Sequence, residues 1–192
     1  MLEDIISKLP PNEEVAKDIL KMLDNSKTKC VLDKDIKNSY YVYLNDTMYI
    51  SDREKVKNNS SRICLVAHEC WHSIQSKFIQ KLNFIFSNLE LLTFIIAAVL
   101  RIFTKFEIIV YIYYAIILLS LIFRIILEQD AVRNSIPLAK NYMEKYLSKN
   151  DTEFITAKYK KKINILYIPF FISLMIGKIV RGIIIFLIYF FI

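Results

Sequence analysis

The alternation of apolar and polar positions divides the chain into a polar first part, two long apolar runs, a second polar part and an apolar end. In residues 1–83, apolar positions recur at helical spacing in some stretches and alternate in others, which predicts helices around a β-hairpin. The expected elements are a short helix before Pro10, a helix over 13–23 capped by Asn12, a strand within 30–36, a hairpin over 41–51 and a helix over 61–82. We interpret this part as soluble.

Residues 84–127 contain two apolar runs, 84–103 and 108–127, each close to the ~20 residues that a helix needs to cross a bilayer. Only residues 104–107 separate the runs, so we expect a transmembrane helical hairpin. The alternative is a buried hairpin of a soluble protein. It is disfavoured because soluble cores seldom leave such long apolar runs unbroken.

Residues 128–162 are polar again and predict a soluble helical segment, whereas residues 163–192 form an apolar end that exceeds one span. We expect this end to be a transmembrane segment. It carries Lys178 and Arg181 near its middle, where charge is costly in lipid. Either the segment is a tilted helix whose two cations face protein or water, or it is broken near Gly177.

Composition narrows the class of protein. The 192 residues are 55% hydrophobic but include only two glycines and four prolines, which favours long helices over a turn-rich β-fold. The expected fold class is therefore mainly α with a small β-hairpin or sheet. The net charge of +7 comes from lysines that are scattered or flank apolar runs, so nucleic acid is not an expected partner. Three cysteines without C-x-x-C spacing indicate free thiols in a reducing compartment.

The strongest functional signal is the H-E-x-x-H motif at residues 68–72, which contains both histidines of the chain. On a helix, His68 and His72 share one face and can bind one metal ion, with Glu69 beside it as a general base. A catalytic zinc site usually has three protein ligands. Because there is no third histidine, the third ligand must be a carboxylate or a thiolate. Glu128 is the best candidate, since a membrane hairpin returns it to the side from which the motif helix departs.

Two neighbouring residues could orient the ligands from outside the metal shell. Gln75 follows His72 by three positions on the same helix face, and Asp130 follows Glu128 by two. Each could equally be an ordinary polar side chain. The two histidines could also be core or surface residues, and Glu128 a simple helix-end carboxylate. Cys70 is expected to be a packed thiol that lies off the histidine face.

Two segments resemble a known family. Residues 66–75, which read V-A-H-E-C-W-H-S-I-Q, are similar to the A-H-E-V-G-H-A-I-Q core of the YugP-type neutral zinc metallopeptidases of bacterial membranes. Residues 128–133, which read E-Q-D-A-V-R, are similar to the E-F-D-A-S-R segment of that family. The resemblance spans most of residues 12–135. It departs at Trp71, where the family has glycine, and at Val132, where it has serine.

The resemblance implies a zincin-like H-E-x-x-H helix core fused to transmembrane helices, with Zn2+ held by His68, His72 and Glu128. It implies a metalloendopeptidase in which zinc activates a water and Glu69 moves its proton to the leaving amine. The substrate would be a peptide or a protein, including membrane-associated ones. We further expect that an extended substrate could pair with the strand at 47–51. Because Trp71 is bulky, activity is a separate question from metal binding.

Two other functions stay open. One is a catalytically inactive or structural zinc-binding membrane protein that acts through partners. The other is a channel-like or transporter-like protein that uses Lys178 and Arg181 in a pathway. The oligomeric state is not fixed by the sequence.

Charge predicts the orientation of a multi-pass protein in a bacterial plasma membrane. Lysines and arginines are concentrated on the side of the motif, which by the positive-inside rule is cytoplasmic. The charges on that side are Lys77, Lys81, Arg124, Arg133 and the lysines of 158–162, whereas the opposite loop offers Arg101 and Lys105, offset by Glu107.

Overall fold

A computed structural model describes residues 2–53, 59–103 and 108–191 of a mainly helical protein with one three-stranded sheet. The elements are α1 (Leu2–Ser7), α2 (Asn12–Met22), β1 (Lys29–Asp33), β2 (Tyr40–Val42), β3 (Thr47–Ser51), α3 (Arg62–Ile74), α4 (Lys77–Phe103), α5 (Ile108–Met143) and α6 (Lys149–Phe191).

The chain divides into two compact units. The first, which we call the motif unit, consists of Met1–Gln75 and Gln129–Ile165. The second, which we call the apolar unit, consists of Ser76–Glu128 and Leu166–Ile192. Both α5 and α6 contribute residues to each unit, so two of the boundaries fall inside continuous helices.

The residue at the N-cap of α2 is not the one that the sequence predicted. Pro11 holds the N-cap position, and no side chain caps the helix there. Asn12, predicted as the cap, is buried, and its Oδ1 accepts a hydrogen bond from Arg62 Nη1 at 2.8 Å. Proline suits a helix start because its φ is already near the helical value. The Asn12 side chain therefore binds the buried guanidinium of Arg62 and does not cap α2.

The predicted hairpin is confirmed, and a third strand completes a sheet. Strand β2 pairs antiparallel with β3, and the connection runs through a 3-10 turn, Tyr43–Asn45, to Asp46 in the left-handed region at a φ of 48°. Aspartate tolerates that conformation better than most residues. Strand β1 pairs in parallel with the other edge of β3, which gives the order β1-β3-β2. The central strand is accordingly the most buried of the three.

The core of the motif unit forms where α3 packs on α2 and on the sheet. Helix α3 buries Ile63, Ala67 and Cys70, which recur at helical spacing on one face. His68 follows Ala67 directly and is therefore turned by about 100° around the helix axis. The hydrophobic face of the helix thus fixes the direction in which His68 and His72 project.

The single helix predicted over 61–82 is wrong, because the chain breaks after the motif. Helix α3 ends at Ile74, and Gln75 is extended, with a ψ of 159°. The next helix begins after Ser76, whose Oγ accepts a hydrogen bond from the backbone N–H of Ile79 at 3.5 Å. A serine at this position is a typical N-cap, so a new helix starts without continuing the first.

Among the residues that the structure describes, two helices are long and apolar enough to cross a membrane, and most of their length lies in the apolar unit. The candidate spans are Lys77–Leu100 of α4 and Ile108–Met143 of α5, both longer than the runs predicted at 84–103 and 108–127. Within this unit, residues of the two helices and of α6 pack around a small core that includes Tyr113.

The apolar end of the chain is part of one continuous helix, α6, so the predicted break near Gly177 is wrong. Of the other alternative, the placement of the cations is confirmed, since both face protein, whereas the tilt of the helix stays a prediction. Arg181 Nη2 lies 2.6 Å and Lys178 Nζ lies 3.6 Å from Glu90 Oε2 of α4.

Candidate metal centre

The two histidines of the motif meet at their Nε2 atoms. His68 Nε2 and His72 Nε2 are 3.2 Å apart, and the two rings are nearly perpendicular. Two nitrogens that bind one tetrahedral zinc at 2.0–2.1 Å are separated by about 3.3 Å. The helix therefore presents the two nitrogens at the spacing that a shared metal ion requires.

Glu128 completes a group of three potential ligands. Ligand atoms of His68, His72 and Glu128 all lie within 4.8 Å of one another, with His68 and Glu128 buried and His72 half-buried. Glu128 is the last residue of its unit, but it is continuous with Gln129 in an unbroken stretch of α5. It therefore belongs to the helical turn that also carries Asp130. This group could hold a metal ion.

The carboxylate of Glu128 forms an ion pair with Arg124, one helical turn earlier in α5. Arg124 Nη2 lies 2.7 Å from Glu128 Oε1, and the carboxylate is almost fully buried whereas the arginine is largely exposed. An i, i+4 pair of opposite charges is a common helix contact. Here it compensates part of the cost of burying the Glu128 carboxylate.

A chain of hydrogen bonds fixes the tautomer of His72. Gln75 Nε2 donates to Asp130 Oδ2 at 2.8 Å, and because a carboxylate can only accept, this bond determines which way the amide faces. Gln75 Oε1, 2.7 Å from His72 Nδ1, must then accept, so His72 Nδ1 carries the proton. A proton on Nδ1 leaves the lone pair of the neutral ring on Nε2, the atom that faces His68. The contact with Gln75 and Asp130 thus prepares His72 to bind a metal.

Trp71 is a further contact of this network, which the sequence did not reveal. Its indole N–H donates to Asp130 Oδ2 at 2.8 Å, on the oxygen that also accepts from Gln75. Asn134 Nδ2 donates to the other oxygen, Asp130 Oδ1, at 2.9 Å. Asp130 therefore has three side-chain donors around its carboxylate, although its own side chain is exposed.

Glu69 lies on the same helix as the histidines, outside the group of three ligands. Its Oε2 accepts a hydrogen bond from the backbone N–H of Tyr41, in strand β2, at 3.0 Å. Since Tyr41 uses this N–H outside the β2–β3 ladder, the outer edge of β2 faces the motif helix. The bond orients the Glu69 carboxylate through one of its two oxygens.

The suggestion that a substrate could pair with the strand at 47–51 is wrong. That strand is β3, and both of its edges are already paired, one with β1 and the other with β2. An additional strand needs an edge with unpaired backbone groups. The short edge strand β2 contacts the motif helix through the hydrogen bond from the Tyr41 backbone N–H to Glu69.

The group of potential metal ligands contains no cysteine. Cys70 is packed in the core, as predicted. Burial raises the pKa of the Cys70 thiol, which contacts Ala16 O and Met48 in the core. Burial also raises the pKa of Cys64 to about 12. Both thiols therefore stay protonated and act as small apolar side chains.

Of the contacts that the sequence analysis missed, one has a signal in the sequence and two have none. Arg124 could have been found, because its i, i+4 spacing from Glu128 on one helix is a local signal. The Trp71 indole and the Tyr41 backbone N–H carry no such signal. Their roles depend on partners that are distant in the chain.

No family model, curated protein or solved structure matches this chain. The likeness to the YugP-type metallopeptidases therefore depends on the two motif segments, 66–75 and 128–133. It stays a prediction, as does the relation to the zincin fold.

Proposed function

We propose that the protein is a membrane-bound zinc metallopeptidase that hydrolyses peptide bonds, with His68, His72 and Glu128 as metal ligands and Glu69 as general base. The observation that carries the proposal is the convergence of these three ligands, with the lone pair of His72 directed to their common centre. Two imidazoles and one carboxylate form a ligand set typical of catalytic zinc, which leaves one position for water or substrate.

The chemistry divides between the ion and the chain. When bound, zinc acidifies water and polarises a carbonyl group. Glu69 takes a proton from the attacking water and passes it to the leaving amine nitrogen. The N–H of Tyr41 on Oε2 keeps the carboxylate in one orientation while the proton is held. Gln75 and Asp130 keep His72 in its metal-binding tautomer.

The chain sequence around the ligands supports a membrane-associated peptide or protein as substrate. Helix α4, a candidate span, begins five residues after His72, and Glu128 directly follows the apolar run that ends at Leu127. The proposed site thus belongs to chain segments that adjoin both apolar helices.

One observation favours a second function, a zinc-binding protein that acts through partners without catalysis. Trp71 is bulky and directly precedes His72, at a position where the family that this chain resembles has glycine. In this alternative the same three ligands hold a structural ion. The two functions differ in the consequence of changing Glu69.

The experiment measures metal content and peptide hydrolysis on the full-length protein purified in a mild detergent. The wild type should contain one zinc per chain and cleave members of a quenched fluorescent peptide library. Glu69→Gln should keep zinc and lose about 10²–10⁴-fold in turnover, because only the proton transfer is removed. Glu128→Ala should lose zinc, whereas Glu144→Ala, an exposed carboxylate beyond the end of the same helix, should change neither quantity.

Three outcomes would reject the enzyme. Unchanged turnover in Glu69→Gln would assign any cleavage to a contaminant. Stoichiometric zinc without cleavage of any library peptide would favour the alternative function. Failure of the wild type to retain zinc would reject both.

A further inference from the structure

A polar stripe runs through the apolar unit, with two residues from each of its three helices. Ser87 and Glu90 share a face of α4, Tyr113 and Ser120 share a face of α5, and Lys178 and Arg181 share a face of α6, because each pair has helical spacing. The stripe lies near the middle of the candidate span Lys77–Leu100, with Glu90 about 15–20 Å from either end at 1.5 Å per residue. Charges at such a depth are rare and usually functional.

One part of the stripe is a closed ion pair. Arg181 Nε donates to Glu90 Oε1 at 2.9 Å, and a second nitrogen, Nη2, donates to Oε2 at 2.6 Å. The Tyr113 hydroxyl donates to Oε1 at 2.9 Å. A fork of two bonds from one guanidinium is the strong form of such a pair. The Glu90 charge is therefore matched by Arg181.

The second cation of the stripe has no equivalent match. Lys178 Nζ donates to Ser120 Oγ at 2.7 Å, a neutral acceptor, and lies 3.6 Å from the carboxylate that Arg181 already holds. Among the described residues of the stripe, one carboxylate faces two cations, which leaves a net charge of +1. Lys178 therefore shares its counter-ion with a second cation, which compensates only part of the cost of desolvating its ammonium.

We propose that Lys178, Ser120 and Ser87 form a binding site for a small monovalent anion of the halide class. Ser120 Oγ accepts from the ammonium and also shares a hydrogen bond with Ser87 Oγ at 3.1 Å. That bond uses one hydroxyl hydrogen of the two serines, and the other can be donated to an anion beside the ammonium. An anion there would bring the net charge of the stripe to zero.

The burial of Lys178 and its depth in the candidate span favour a small anion over a lipid headgroup. The Lys178 side chain is 15% exposed, which leaves a narrow approach. The phosphate of a lipid headgroup lies at the membrane surface, about 15 Å or more from this depth. The site shares no residue with the metal centre, so its test does not depend on the proposed peptidase.

The test is the thermal stability of the full-length protein in detergent, with sodium chloride or bromide replacing sodium gluconate at constant ionic strength. Binding to the folded state should raise the melting temperature saturably, by about 3–10 °C at saturating chloride. Lys178→Met should lose this rise, whereas Lys161→Met, an exposed lysine of the same helix, should keep it.

A milder variant keeps the test valid if Lys178→Met does not fold. Ser120→Ala should raise the half-saturating chloride concentration by about tenfold, because one hydrogen-bond donor is lost. The proposal is overturned if the wild type shows no saturable rise, if Lys178→Met keeps it, or if Ser120→Ala leaves the half-saturating concentration unchanged.

Discussion

Trp71 occupies the position that is glycine in the family this chain resembles, and its indole has a definite contact. The ring N–H donates to Asp130, which accepts from Gln75, which in turn accepts from His72. Trp71 is thus connected to His72, a proposed metal ligand, through two hydrogen-bonded side chains. We interpret Trp71 as a positioning residue for His72.

Trp71→Phe tests this interpretation, because it removes the N–H and keeps an aromatic ring. Zinc affinity, measured by competition with a chromophoric chelator, should fall by about tenfold, the lower end of the range for residues that support a ligand. Asp130→Ala should weaken zinc binding at least as much. In the double variant the tryptophan change should add nothing, since its partner is gone. Additive losses would show that Trp71 acts by packing alone.

At the scale of elements, a buried arginine joins the first helices to the motif helix. Arg62, at the start of α3, donates to the backbone oxygens of Leu9 at 2.8 Å and Pro10 at 2.7 Å, and to Asn12. These carbonyls follow the end of α1, where helical partners are lacking. Burial lowers the pKa of the Arg62 guanidinium, but it stays charged at neutral pH because its usual pKa is above 12.

Arg62→Met should lower the free energy of unfolding by about 2–4 kcal/mol, because buried carbonyl oxygens lose their donors. Arg62→Lys should recover only part of this loss, since an ammonium cannot reproduce the planar fork. Arg133→Met, at an exposed position, is the matched control. The measurement is denaturant unfolding in detergent. Equal stability of Arg62→Met and the wild type would contradict the assigned role.

At the scale of the whole molecule, the central expectation is that α4 and α5 leave and re-enter the membrane on one side. The pair could cross a membrane by length and composition. Sites before the apolar run of α4 and after that of α5 should then be exposed to the same compartment, and positive charge predicts that this is the cytoplasm.

Single cysteines test this topology with a membrane-impermeant maleimide on sealed vesicles of known orientation. Lys81→Cys and Arg133→Cys should label from the cytoplasmic side, and Lys105→Cys from the other. Cys30→Ser removes the half-buried native thiol, while Cys64 and Cys70 are buried, with raised pKa values, and should react slowly. Labelling of positions 81 and 133 from opposite sides would exclude the hairpin.

The sequence predictions that the structure confirmed depend mostly on local signals. The spacing of His68 and His72, the two apolar runs and the alternation across residues 41–51 each express a period of the backbone itself. Glu128 was found by a topological argument, which needs only the number of spans and no detailed contacts. These predictions use neighbours within one element or the order of elements along the chain.

Tertiary structure decided which distant polar groups meet. Glu90, Lys178 and Arg181 each look misplaced in an apolar run, and only the packing of α4 with α6 shows that Glu90 pairs with Arg181 and lies 3.6 Å from Lys178. The break at Gln75 and the central place of β3 have the same origin, since each depends on partners from other parts of the chain. The physical reason is that a buried polar group must find a partner, and the sequence shows the need without showing which distant residue meets it.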